Sequence, residues 1–261
     1  MRDLYISIGI LRSIEGDKYL IEAVAFAVLI KQHRINSLIT NATHRKLKTV
    51  FGIGTERLQR VLTNGLNSGF LRKEGEDLIA NKLHEKTNLT YCMKAEYFED
   101  AVNSNKHNRL TLNGVIRIIE TAILYNHVKM IQDCKDTHGI ATSNDLKAVK
   151  QARKRESSML SGGSYNEGYK GLSNGTIVKL IGKKVGTAIK VAKKAIHLNL
   201  VTKHWRFDFF DIDGGHVTAY AKNYFEDMGY IVSLAHRAVY KRLSNEYAIK
   251  SENMKFFRSK R

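Results

Sequence analysis

Six side chains between residues 57 and 67 carry the donors and acceptors that match nucleic-acid base edges. Leu58 and, 3, 4 and 8 residues beyond it, Val61, Leu62 and Leu66 form one apolar helical face. Arg57, Gln59, Arg60, Thr63, Asn64 and Asn67 are then left facing outward. Arginine is shaped to pair with guanine, and Asn or Gln with adenine, in the major groove. At an offset of 130 residues the same outward positions are Thr187, Ile189, Lys190, Lys193, Lys194 and His197. That set is more positive and has fewer amides, which suits phosphate contact better than base discrimination. The first segment is thus expected to read bases and the second to lean on phosphates. Replacing Arg60 should then relax sequence preference, and replacing Lys194 should weaken all sequences alike. Arg72 and Lys73 stand on a short hairpin downstream of the first segment. Lys147, Lys150 and Lys154, at spacings of 3 and 4, share a face that can follow a phosphate backbone. Each of these faces would also serve as an ordinary solvated surface.

Other chemistry is less well supported. Asp208, Asp211, Asp213 and His216 gather carboxylates near a histidine, as a Mg²⁺-dependent nuclease would require. In a strand, however, Asp208 and Asp211 point to opposite faces, and Asp213 falls in an Asp-Gly-Gly turn that favours aspartate for local reasons. The glycine-rich run 163–170 lacks the Gly-Lys-Ser/Thr ending of a phosphate loop. Trp205, Phe207 and Phe209 alternate onto one strand face, the pattern of a core more than of a base-stacking platform. Cys92 and Cys134 form no CxxC pair, no serine sits in a GxSxG elbow, and the ten histidines show no metal-ligand spacing. The expectation is a non-enzymatic chain without a cofactor or metal.

Composition points the same way. With 43 Lys and Arg against 25 Asp and Glu, the chain carries a formal charge of +18. Like charges repel in the folded state, and a polyanionic partner relieves that repulsion. The most apolar run, 21–30, includes Glu22 and is too short to cross a bilayer. The start Met-Arg-Asp-Leu has no signal-peptide order, and two isolated thiols suit a reducing compartment. A cytoplasmic, nucleoid-associated protein with no membrane partner is expected.

The elements that would position these residues follow from periodicity. A strand is predicted over 4–11, helices over 18–33, 43–51 and 55–68, and a hairpin over 70–80 turning at Glu74-Gly75-Glu76. Shifted by 130 residues, Leu47, Val50, Phe51 and Gly52 fall on Ile177, Leu180, Ile181 and Gly182. Gly69 falls on Asn199, the other residue that tolerates a left-handed C-cap. A longer second wing over 201–211 and 216–221, a packed helix over 111–134, a basic helix over 143–159 and a last helix over 232–244 complete the pattern. The expected class is α+β, mainly α, with two winged helix-turn-helix units and a helical middle segment. The predicted boundaries are unit 1 at 1–90, the helical middle at 91–160, a Gly-rich linker at 161–171, unit 2 at 172–231, and a C-terminal helix and basic tail at 232–261.

The run Leu47-Lys-Thr-Val-Phe-Gly-Ile-Gly-Thr-Glu-Arg-Leu-Gln-Arg-Val-Leu62 with Gly69-Phe-Leu71 resembles winged helix-turn-helix regulators. So do Ser173 to Gly182 and Lys190 to Val201. Two such units in a chain of this size are similar to phage and plasmid replication initiators and to mobile-element transcriptional regulators. The resemblance covers about half the chain. It implies a non-catalytic, sequence-specific binder of double-stranded DNA that regulates transcription in a phage or mobile element. Replication initiation at origin repeats is the alternative within this class, and the Mg²⁺-dependent nuclease the alternative outside it. Further partners would be a second copy of the chain, or replication and transcription proteins.

Overall fold

The structure is a computed structural model that describes residues 1–34, 36–84, 90–99, 101–103, 109–138, 172–204, 207–210, 231–233, 238–242, 246–249 and 256–257. It is an α+β chain, mainly helical, with small antiparallel sheets. Two compact units divide it. One comprises Met1–Ile131, Asn174–Val201 and Ile249–Arg261, the other Gln132–Ser173 and Thr202–Ala248.

The first unit opens with β1 (Leu4–Ser7), which pairs antiparallel with β5 (Thr90–Met93). The strand predicted over 4–11 stops early: α1 (Ile8–Ser13) begins at residue 8. Ser7 turns the chain, its Oγ accepting from the Ile10 amide at 3.2 Å as an N-cap. Leu11 and Ile14 then bury at helical spacing. β-propensity in this run gives way to a cap plus a 3-residue apolar repeat.

α2 (Lys18–His33) is capped by Asp17, whose carboxylate accepts from the Tyr19 and Leu20 amides at 2.8 and 3.1 Å. From Ile21 to Ile30 every residue except Glu22 is buried, so this helix is the core of the first copy. β2 (Leu38–Ile39), α3 (His44–Phe51), α4 (Thr55–Asn67), β3 (Leu71–Glu74) and β4 (Asp77–Ala80) follow. The three strands form one antiparallel sheet in the order β2-β4-β3. Gly65 lies under this hairpin: a Cβ there would meet the Leu71 side chain at 2.5 Å.

α5 (Glu96–Glu99), β6 (Val102–Asn103) and β7 (Arg109–Leu110) lead into α6 (Leu112–His138), a little longer than predicted. Its span 118–128 is buried all round. That span carries Glu120, Thr121, Asn126 and His127 alongside its apolar residues. The Tyr91 hydroxyl donates to Asn126 Oδ1 at 3.0 Å. His127 is buried and its Nε2 has no hydrogen-bond partner among the described residues.

Burial holds His127 down to about 4, below the ordinary value of 6.5. A neutral imidazole in the fold and a protonatable one in the unfolded chain make stability complete above 6.5. Stability then declines as pH falls from 6.5 towards 4. The full effect is roughly 3 kcal/mol. Denaturant unfolding of wild type and His127→Leu at a series of pH values checks this. The gap between the two curves should shift towards the variant on acidification, and a constant gap would refute the assignment.

α7 (Asn174–Ile181) and α8 (Val185–His197) return to the core of the first unit. The helix predicted over 143–159 and the glycine-rich run 161–171 lie outside the described residues. β8 (Val201–His204) pairs with β12 (Glu246–Ile249), and β9 (Phe207–Phe210) with β11 (Ala238–Arg242). The predicted wing partner 216–221 also lies outside them. The helix predicted over 232–244 is corrected at its described residues: β10 (Ile231–Ser233) and β11 lie there, in the sheet order β10-β11-β9. Val232, Val239 and Tyr240 suit strands, and pairing with the Phe-rich β9 outweighs the helical periodicity. β13 (Phe256–Phe257) adds to β5.

Candidate nucleic-acid interface

The 130-residue offset holds to the residue in the bounds of the two helix pairs, while the strands after them pair differently, β3 with β4 but β8 with β12 and β9 with β11. α3 and α7 begin at 44 and 174 and end at 51 and 181; α4 and α8 begin at 55 and 185 and end at 67 and 197. The turns between them are made by Gly52 at φ +63° and Gly182 at φ +61°. After each second helix the chain turns through a left-handed residue, Gly69 at φ +71° and Asn199 at φ +55°. The buried faces correspond: Leu58, Val61, Leu62 and Gly65 against Ala188, Val191, Ala192 and Ala195. Where the first copy has Gly65 and Leu71, the second has Ala195 and Val201, trading helix volume against strand volume.

The local reasons differ between copies. Thr43 caps α3, its Oγ1 accepting from the Lys46 amide at 3.3 Å. Lys48 Nζ donates to Thr55 Oγ1 at 2.8 Å, tying α3 to the first residue of α4. In the second copy, Gly182 is pressed against the turn ahead of α2. The Gly16 amide donates to the Leu180 carbonyl at 2.7 Å, satisfying one of the open C-terminal carbonyls of α7.

A glutamate on a core helix also anchors α4 in the first copy and the turn ahead of α8 in the second. Glu22 of α2 holds Arg57 at 2.8 Å and Arg60 at 3.0 Å, and the Arg60 guanidinium stacks 5.3 Å from the Tyr19 ring centre. Glu22 is 12% exposed, while Arg57 and Arg60 are 30% and 43% exposed, so the cations face solvent and the carboxylate faces in. In the second copy Glu120 of α6, fully buried, takes Arg117 at 2.8 Å and Lys183 at 2.6 Å. Arg117 also donates to the Thr187 carbonyl at 3.3 Å. Apart from Arg117–Glu120, three positions apart on α6, these pairs join residues 35 to 70 positions apart and leave no local signature.

The expected site residues fall into groups. On α4, Gln59, Thr63 and Asn67 are exposed and Asn64 is half-buried, while Arg57 and Arg60 are engaged with Glu22. On the hairpin, Arg72 and Lys73 are exposed, and Arg72 pairs with Glu74 at 3.1 Å. On α8, Lys190, Lys193 and His197 are exposed, and Thr187 and Lys194 are half-buried. Lys147, Lys150 and Lys154 lie outside the described residues. The structure adds cations not singled out from sequence: Arg45 and Lys48 on α3, and Lys179 and Lys184 around α7, all exposed. Arg45, Lys48 and Lys179 lie on the first helix of each pair and Lys184 immediately before α8, where a basic residue signals little by itself.

Asp208 lies on β9 with Lys241 opposite it in register, and Asp211, Asp213 and His216 lie outside the described residues. Among the described residues no group of acidic, His and Cys side chains could hold a metal ion, and no helix is long and apolar enough to cross a membrane. Comparison with protein-family models, curated proteins and solved structures finds no match for this chain.

Proposed function

We propose that the chain is a non-catalytic, sequence-specific binder of double-stranded DNA, built on two winged helix-turn-helix copies and acting in control of transcription. The observation that carries this reading is the repeated helix pair, with an outward face of amides and hydroxyls on α4 and of lysines on α8. An exposed α-helix fits the major groove, and a +18 chain gains from releasing phosphate counterions. In this reading Gln59, Thr63 and Asn67 face base edges. Arg57 and Arg60 are oriented by Glu22 beside them, and Lys190 and Lys193 meet phosphates.

Selection of bound fragments from a random duplex library tests it, and a defined site should emerge. Gln59→Ala should then cost about 1–3 kcal/mol on that site and little on random DNA. Lys190→Ala and Lys193→Ala should each weaken both kinds of DNA and reduce the salt slope by about 1. A library with no enriched sequence, or the same loss on specific and random DNA for all three variants, would count against the reading.

A further inference from the structure

We propose that α8 reads thymine: Val185 and Ile189 contact the C5-methyl groups of T·A pairs in the major groove while the lysines beside them hold the phosphates. This rests on the DNA-binding reading and adds to it a base preference for the second copy.

Six large hydrophobic residues are exposed among the described residues, and three of them are on α8: Val185 at 52%, Ile189 at 39% and Ile196 at 36%. Their spacings of 4 and 7 place them on one stripe of the helix, along the border of the buried face of Ala188, Val191, Ala192 and Ala195. Branched aliphatic groups left in water are unfavourable, and three on one stripe form a patch that a partner can cover. The matching positions of the first copy are Thr55, Gln59 and Leu66. The two copies therefore differ on the face that would meet a groove, with an amide at 59 and an aliphatic group at 189.

The surroundings select the occupant. Lys193 is four residues after Ile189 and three before Ile196, so it borders the stripe on the helix surface. Lys184 precedes the helix, Lys190 and Lys194 lie on it, and α8 contains no acidic residue. An apolar strip rimmed by lysines is poorly matched to an apolar protein surface. It matches a groove whose floor carries methyl groups and whose rims carry phosphates. Among base-pair edges only thymine offers a methyl group there.

Gly186 points the same way. It occupies the first turn of α8, is exposed, and a Cβ at this position would meet nothing within 4 Å. Glycine in a helix is destabilising relative to alanine, and none of the described residues requires it here. It leaves room for another molecule to approach the backbone between Val185 and Thr187.

The test uses the full chain and the duplex site obtained by selection. Deoxyuridine is placed for each thymidine in turn, which removes one methyl and keeps every hydrogen-bonding group. At thymines under α8, wild-type affinity should fall about fourfold per methyl, and Ile189→Ala or Val185→Ala should bind thymine and uracil sites equally. Gly186→Ala should retain the helix by circular dichroism while binding less tightly. Failure to select any duplex overturns the DNA-binding reading itself. Specific binding that is indifferent to uracil at every position overturns only the thymine assignment. So does Ile189→Ala changing the sedimenting mass without changing the thymine-to-uracil ratio, because the stripe would then be covered by a second copy.

Discussion

Gly182→Ala should cost about 4 kcal/mol of unfolding free energy, whereas Gly52→Ala, at the equivalent turn, should cost about 1–2. Both glycines hold the left-handed conformation that an L side chain enters at a penalty. That shared penalty is the whole expected cost at position 52, where a Cβ would meet nothing within 4 Å. At position 182 a Cβ would collide with the Gly16 carbonyl oxygen and lie 2.9 Å from its carbon and 3.1 Å from the Lys18 amide nitrogen. All three are backbone atoms and cannot rotate away. Gly16 cannot easily retreat either, since its own amide is bonded to Leu180 and its φ is +78°. Denaturant unfolding followed by circular dichroism measures the two variants side by side. Equal losses would mean that the contact between these turns does not exist in solution.

The contrast between those glycines marks how far the sequence can be read. That each turn needs a glycine is legible, because apolar spacing of 3 and 4 on both sides leaves a gap that only a left-handed residue closes. The 130-residue offset is legible for the same reason, and it carries the first helix pair onto the second to the residue, although the predicted spans 43–51 and 55–68 each run one residue past the helix. That Gly182 also meets Gly16 is not legible, since the two are 166 positions apart and no periodicity joins them. The candidate site divides in the same manner. Which side chains of α4 and α8 face outward follows from the buried stripe. That two of them, Arg57 and Arg60, are tied to Glu22 follows from tertiary packing alone. Glu22 reads in sequence as a flaw in an apolar run, and in the structure it is the inward anchor of two cations. Local rules fail most plainly at 231–233 and 238–242, where strand pairing, of β10 with β11 and of β11 with β9, decides between helix and strand.

The anchor in the second copy leads to the other large effect. Lys183→Met should destabilise the protein by about 3 kcal/mol, because it leaves a fully buried carboxylate with one cation in place of two. The remaining partner, Arg117, is shared with the Thr187 carbonyl and cannot turn both of its bonds to Glu120. The cost sits at the lower end for buried pairs, since Lys183 is itself 24% exposed and regains some hydration when free. Burial of an ion triad is not in itself favourable, as desolvation of the carboxylate offsets much of the attraction. The triple variant Arg117→Met, Glu120→Leu, Lys183→Met should therefore recover wild-type stability to within about 1 kcal/mol. If the chain binds DNA as proposed, the affinity of this variant for DNA should still fall, because the Arg117 bond to the first turn of α8 is what fixes that turn next to the Lys183 bend. Stability regained with affinity lost would assign the triad to positioning α8. If affinity returns together with stability, the triad is a packing feature and the orientation of α8 is set by its apolar face alone.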